Sequence, residues 1–247
     1  MTQEISPEAF KSAIHELLAI YESDDALVVT PGEEARLAMI HPLLAHTFEM
    51  ARAVLMLIEA SQVSAAKALS RVALEHAVFA QWVYQHPEGL LGLSAKEAAS
   101  YRKLYNGLKD GLVFPDEIAE FYETKMKNPI GISSDDQPFE QVCLCFEEGK
   151  DIYRIYRLVS GSVHPGNLTA REYIEHSGDG SQVTLRWKAV MSDPIPPLHV
   201  TALSVCLAAS IYEDLREGKP RINEIENIAM SVGIKVPLVL KPIKSAD

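Results

Sequence analysis

Residues 61–86 read SQVSAAKALSRVALEHAVFAQWVYQH and predict a helix that is apolar on almost every side. A surface helix keeps one polar face, whereas a helix that is apolar nearly all round is buried by its neighbours. The segment therefore predicts an all-α, multi-helix bundle with this helix at its centre. The apolar side chains that cover its circumference are Val72, Ala73, Ala77, Ala80, Val83 and Tyr84.

Capping residues and prolines predict the helices around this segment. Ser6-Pro7 and the capping-box spacing of Thr30 with Glu33 and of Ser94 with Glu97 are typical helix starts. Residues 128–138, NPIGISSDDQP, predict a loop. The predicted helices cover about residues 7–21, 30–60 with a bend at Pro42, 61–86, 94–110, 115–127, 138–163, 197–217 and 221–231.

One small β-hairpin is predicted beside these seven or eight helices. Residues 172–175 and 183–187 flank the glycine-rich turn HSGDGSQ, which predicts a hairpin over about residues 171–190. The chain has no internal repeat, and 247 residues suffice for one core. We therefore expect a single helical domain over residues 1–247. Its core is expected in about 33–166 plus the helix 197–217, with a C-terminal extension over 233–247 that packs loosely from Lys235.

The charge of the chain is strongly acidic. It carries 34 acidic and 23 basic residues, a formal net charge of −11. Non-specific binding to nucleic acid depends on a basic surface that neutralises phosphates. The composition therefore disfavours non-specific binding to DNA or RNA, although it permits a local basic pocket, and we expect no DNA partner.

Cysteine usage and hydropathy predict a cytoplasmic protein. The three cysteines form no CxxC pair, and the N-terminus lacks the pattern of a signal peptide. The most apolar window, LHVTALSVCLAASIY from Leu198, is shorter than the roughly 20 residues that span a bilayer. We interpret it as a buried helix and expect no membrane association.

The segment 156–166, YRLVSGSVHPG, carries a candidate site. Seven residues bring a regular helix back to within about 20° of its starting direction, so Arg157 and His164 would face the same way. They would lie roughly 10 Å apart along the axis, with Ser160 beside them. The alternative is structural, because a histidine near a helix C-terminus interacts favourably with the helix dipole.

A second candidate lies in the central helix, where Arg71 and Glu75 are four residues apart and share one face. Buried charges are costly unless they are paired. The pair therefore either joins parts of the bundle or lets Glu75 orient Arg157 or His164 from the next helix.

Other motifs are weaker. His46-x-x-Glu49 with His41 nearby resembles metal ligands, but the repeated Glu-x-x-His pattern of ferritin-like bundles is missing. Ser160 and His164 lack the third group of a hydrolytic triad, and neither a GxGxxG motif nor a P-loop is present. We expect neither a metal nor a cofactor.

The combined pattern resembles a known family. Arg71-x3-Glu75 with Tyr156-x3-Ser160-x3-His164-Pro165 is similar to a widespread bacterial helical family of unknown function, over about residues 35–166. That family is itself similar to the HEPN superfamily of helical-bundle ribonucleases and interaction domains. The HEPN motif is Arg, four to six residues, then His, and Arg157 with His164 fits this spacing.

The resemblance implies a metal-independent ribonuclease of the toxin or defence type that acts as a homodimer on RNA. In that function His164 is the acid or base, Arg157 binds the phosphate, Arg71 adds positive charge and Glu75 holds an arginine, with Ser160 in the same motif.

The alternative is a non-catalytic helical interaction module in which these residues form a structural polar network. HEPN-like domains also serve such roles. The residue after the motif arginine is usually polar, and here it is Leu158, which favours this alternative together with the acidic charge.

Overall fold

The computed structural model describes residues 5–22, 28–109, 111, 115–126, 138–161, 163–164, 166–178, 182–187, 189 and 193–242. These residues form an all-α bundle with one small β-hairpin, as predicted. The helices are α1 (Pro7–Glu22), α2 (Glu34–Glu59), α3 (Val63–Gln85), α4 (Gly89–Leu108), α5 (Asp116–Met126), α6 (Phe139–Leu144), α7 (Gly149–Ser160), α8 (Asn167–Arg171), α9 (Ile195–Leu215) and α10 (Ile222–Ser231), and the strands are β1 (Ile174–His176) and β2 (Val183–Leu185).

Helix α3 lies at the centre of the bundle, which confirms the prediction from its apolar circumference. It packs against α2, α9, α7, α4 and α6. Ala66, Leu74 and Ala77 have no exposed surface, and the alanines let neighbouring helices approach closely. The long polar side chain of Gln81 is also fully buried, and it donates hydrogen bonds to Leu207 O at 2.9 Å and Ser210 Oγ at 3.0 Å.

Helix α9 is the second buried helix, again as predicted from its composition. By length and composition it is the one helix of the described residues that could cross a membrane, but 78% of its apolar window is buried within the fold. It packs against α1, α2, α3, α7 and α10. The apolar surface that a membrane span would offer to lipid is thus used for packing.

Two helix starts differ from the predictions. Helix α2 begins at Glu34 rather than near Thr30, and it continues through Pro42. Helix α4 begins at Gly89, so Ser94 lies inside the helix and its hydroxyl donates to Leu90 O. The chain turns tightly between α3 and α4, and a Cβ at position 89 would lie only 2.5 Å from Val83 O. Glycine fits at this close approach, and α4 begins there.

The continuous helix predicted over residues 138–163 is wrong. Helix α6 ends at Leu144, α7 begins at Gly149 and ends at Ser160, and the fully buried Phe146 lies in the break. A Cβ at Gly149 would lie 1.8 Å from Cys143 O, so only glycine allows the chain to fold back this closely.

The expectation of a loosely packed tail is also wrong for residues 235–242. Leu238 is only 3% exposed. Glu147 N donates to Val239 O at 2.9 Å and Lys241 N donates to Cys145 O at 2.8 Å. The tail therefore supplies backbone partners to the break between α6 and α7. Residues 243–247 and the predicted loop at 128–137 lie outside the described residues.

The hairpin forms as predicted and is attached to the bundle. Strands β1 and β2 are antiparallel, with Ile174 opposite Leu185. Just before β1, the Glu172 carboxylate accepts hydrogen bonds from Ser64 Oγ and Lys67 Nζ on α3. This contact links the hairpin to the helix that carries Arg71 and Glu75.

Candidate functional site

The candidate site begins on one face of α3. Arg71 and Glu75 form the ion pair that their spacing predicts, with 3.1 Å between Arg71 Nη2 and Glu75 Oε1. Their side chains are 22% and 31% exposed, so the pair is partly buried and still reached by water. Because α7 packs on α3, a side chain of α7 completes the pair.

That side chain is Tyr156. Its hydroxyl accepts hydrogen bonds from Arg71 Nε at 3.0 Å and Nη2 at 2.6 Å, and it donates to Glu75 Oε1 at 2.7 Å. Burial raises the pKa of Tyr156 and the Glu75 carboxylate raises it further, which favours the protonated hydroxyl that this geometry requires. Two of the three guanidinium nitrogens, Nε and Nη2, are therefore held in a fixed orientation.

The remaining part of the guanidinium faces His164. Arg71 Nη1 lies 3.3 Å from His164 Nε2. A guanidinium nitrogen only donates, so Nε2 is the acceptor in this arrangement and the imidazole is neutral with its proton on Nδ1. His164 lies beyond the end of α7, and its carbonyl accepts a hydrogen bond from Thr169 Oγ1 at 2.7 Å. The His164 side chain is exposed to solvent.

Among the described hydrogen bonds and ion pairs, none joins Arg157 or Ser160 to the side chain of Arg71 or His164. The stripe from Arg157 to His164 assumed one regular helix, and α7 ends at Ser160. Arg157 is exposed and hydrogen-bonded to the Tyr153 side chain. Ser160 is 7% exposed and donates to Tyr156 O at 2.7 Å, so its hydroxyl is used within the helix.

The structure thus brings together Arg71, Glu75 and His164 and adds Tyr156, which sequence reasoning had included in the motif but not in the site. The sequence did contain a signal for Tyr156, because this residue belongs to the same motif as Ser160 and His164 and directly precedes Arg157. Its contact with α3 depends on how two helices pack, and the periodicity of one helix carries no information about that. We call Arg71, Glu75, Tyr156 and His164 the polar cluster.

The residues considered as metal ligands do not converge. His46 Nδ1 lies 3.7 Å from Glu49 Oε2, and the His46 ring packs on His76 with 4.5 Å between centroids. His41 instead lies beside Tyr212, with 6.2 Å between the centroids of the two rings. Within the described ranges, no three His, Cys, Asp or Glu side chains are grouped as ligands of one ion.

Comparison with known proteins gives one match. The model of the Family of unknown function (DUF5677) matches residues 37–182, a range that contains the whole polar cluster. No curated protein and no solved structure matches the chain. Because the matched range covers more than half of the 247 residues, the chain belongs to this family, DUF5677.

Proposed function

We propose that the chain is a HEPN-like, metal-independent ribonuclease of the toxin or defence type. The observation that carries the proposal is the 3.3 Å contact between Arg71 Nη1 and His164 Nε2 at a position open to water. It joins a phosphate-binding cation to a group that can transfer protons near neutral pH. A cytoplasmic location and a homodimer are part of the same proposal.

The reaction is a transesterification within the RNA strand. His164 Nε2, which lacks a proton in this arrangement, accepts the proton of the 2′-hydroxyl while the 2′-oxygen bonds to the adjacent phosphorus. The bond from phosphorus to the 5′-oxygen breaks, and an imidazolium returns a proton to that oxygen. The products are a 2′,3′-cyclic phosphate and a free 5′-hydroxyl, with no co-reactant needed.

Arg71 is suited to bind the phosphate in this reaction. Tyr156 and Glu75 hold Nε and Nη2, so the guanidinium does not have to reorient when charge develops on the phosphorus. A phosphate that enters between Arg71 and His164 replaces the imidazole as the acceptor for Nη1. Arg71 thereby takes the role that the resemblance had assigned to Arg157.

One observation favours the alternative of a non-catalytic interaction module. Arg71 already binds Tyr156, Glu75 and His164 at once, as a cation in a structural network does. Such a network would join α3, α7 and the segment after α7, and it would stabilise the bundle without binding a substrate.

RNA cleavage in the presence of EDTA separates the two functions. We expect wild-type protein to cut RNA with cyclic phosphate ends and to leave DNA of the same sequence intact, since DNA has no 2′-hydroxyl. His164→Ala should abolish cutting with little change in melting temperature, and His15→Ala on the exposed side of α1 should cut normally. Uncut RNA, or equal cutting by His164→Ala, would leave the interaction module as the function of the polar cluster.

A further inference from the structure

A pocket lies directly beside the polar cluster. Its volume is about 170 Å³, and Glu75 belongs both to its wall and to the cluster. Residues of α2, α3 and α4 form its walls. The pocket therefore lies against the face of α3 that carries Glu75, next to Arg71. The lining residues are Leu43, Glu75, His76, Phe79, Leu93 and Lys96.

The size of the pocket matches one six-membered ring. An apolar protein cavity of about 150 Å³ holds a benzene molecule. A space of 170 Å³ therefore admits one flat ring with its substituents, and the second ring of a purine would extend toward the open side of the pocket. Leu43, Phe79 and Leu93 supply apolar walls for such a ring.

Lys96 is the cationic group of the pocket. Its ammonium lies 3.7 Å from the centroid of the Phe79 ring. Among the residues that the structure describes, no carboxylate lies within ion-pair distance of it. Burial lowers the pKa of Lys96 because the ammonium has lost part of its hydration, and the Glu75 carboxylate partly opposes this shift. A ligand oxygen would restore a hydrogen bond to this group.

Two acceptors complete the wall. His76 Nδ1 donates to Val72 O at 2.9 Å, so the neutral ring has its acceptor at Nε2. Burial lowers the pKa of His76, which favours this neutral form. The contacts described for the Glu75 carboxylate use Oε1. The pocket thus combines a cationic donor with acceptors around an apolar space.

We propose that this pocket binds a pyrimidine base, with Lys96 donating to a ring carbonyl and His76 or Glu75 accepting from a ring N–H or amino group. Uracil and cytosine both carry donors and acceptors on one six-membered ring, as this wall requires. Purines add a second ring, which would extend toward the open side of the pocket.

The position of the pocket suits a base next to the cleaved phosphate, and this assignment rests on the proposed function. Arg71 precedes Glu75 by about one helical turn, or about 6 Å along α3. A nucleotide holds its base and its phosphate on opposite sides of the ribose. With the phosphate at Arg71 and His164, the base of the same nucleotide reaches the pocket.

Binding of nucleosides tests the pocket without requiring cleavage. Titration calorimetry or NMR should show that uridine and cytidine bind and that adenosine binds at least about tenfold more weakly. Lys96→Gln should weaken uridine binding by about tenfold, the effect of one hydrogen bond to a charged group. Leu93→Trp should fill the pocket and abolish binding. Lys109→Gln, at the exposed C-terminal end of α4, is the matched control.

The outcomes distinguish the two proposals. Pyrimidine binding that Lys96→Gln weakens supports the pocket even if RNA stays uncut, in which case the ribonuclease proposal falls alone. RNA cleavage without base preference, with no uridine binding, overturns the pocket and leaves the ribonuclease standing. Equal binding of uridine by Lys96→Gln and Lys109→Gln also overturns the pocket, and this comparison decides the matter if Leu93→Trp fails to fold.

Discussion

Arg71 Nη1 and His164 Nε2 lie 3.3 Å apart, although 93 positions separate the two residues in the chain. Arg71 belongs to the central helix, and His164 follows the end of α7. The contact therefore depends on the packing of α7 against α3 and on the termination of α7 at Ser160. A continuous helix would instead place Arg157 and His164 on the same face, roughly 10 Å apart along the axis.

Comparison of two arginine variants tests which guanidinium binds the phosphate in the proposed ribonuclease reaction. Arg71→Gln should lower kcat/KM for cleavage by about 100-fold or more, the usual effect of removing a fixed donor to a transition-state oxyanion. Arg157→Gln should change it by less than about tenfold, because this side chain is exposed and screened by solvent. The opposite order of effects would assign the phosphate to Arg157.

Tyr156→Phe tests the stability of the polar cluster. The variant removes two hydrogen bonds from Arg71 and one to Glu75, and we expect the free energy of unfolding to fall by about 1–3 kcal/mol. Urea denaturation measures the change. Tyr153→Phe is the control, since its partner Arg157 is exposed, and it should change stability by less than about 0.5 kcal/mol. Equal losses in both variants would contradict a special role for Tyr156.

Gly149→Ala tests the break between α6 and α7, and Gly107→Ala in α4 is its control. Gly149→Ala places a Cβ against Cys143 O and should destabilise the protein by about 1–3 kcal/mol or prevent folding. Gly107→Ala, within α4, meets no described atom within 4 Å and should stabilise the protein by about 0.5–1 kcal/mol. Thermal unfolding of both proteins measures these changes. A stable Gly149→Ala protein would mean that the chain does not fold back at this point.

The partial burial of His199 and His76 predicts that the free energy of unfolding falls in acid. Burial lowers the pKa of His199 and of His76 below the usual value of 6.5. For His76, the hydrogen bond to Val72 O and the Glu75 carboxylate oppose this shift, whereas His46 and Lys96 add to it. Below pH 6.5 the unfolded chain therefore binds more protons at these positions than the folded protein. The free energy of unfolding should fall as the pH is lowered from about 7 to 5.

Denaturation at several pH values checks this expectation. His199→Gln removes one of the two groups and should reduce the dependence of stability on pH between 5 and 7. His15→Gln, on the exposed side of α1, should keep the wild-type dependence. An unchanged slope in His199→Gln would show that this imidazole does not titrate differently on unfolding.

Local sequence determined the features that depend on helical geometry alone. The apolar circumference of residues 61–86 predicted the central position of α3, and the composition around Leu198 predicted the buried helix α9. The pairing of Arg71 with Glu75 followed from a spacing of four residues. Each of these features depends on the helical repeat of 3.6 residues per turn and on the burial of apolar surface. Residues close together in the sequence determine both.

Tertiary structure decided the contacts between distant segments. The helix predicted over residues 138–163 is interrupted where the C-terminal segment hydrogen-bonds to Cys145 and Glu147, about 90 residues away in the chain. Tyr156 and His164 meet Arg71 only because α7 packs on α3 and then ends. Helical periodicity holds only while the backbone hydrogen bonds continue, and long-range packing determines where they stop.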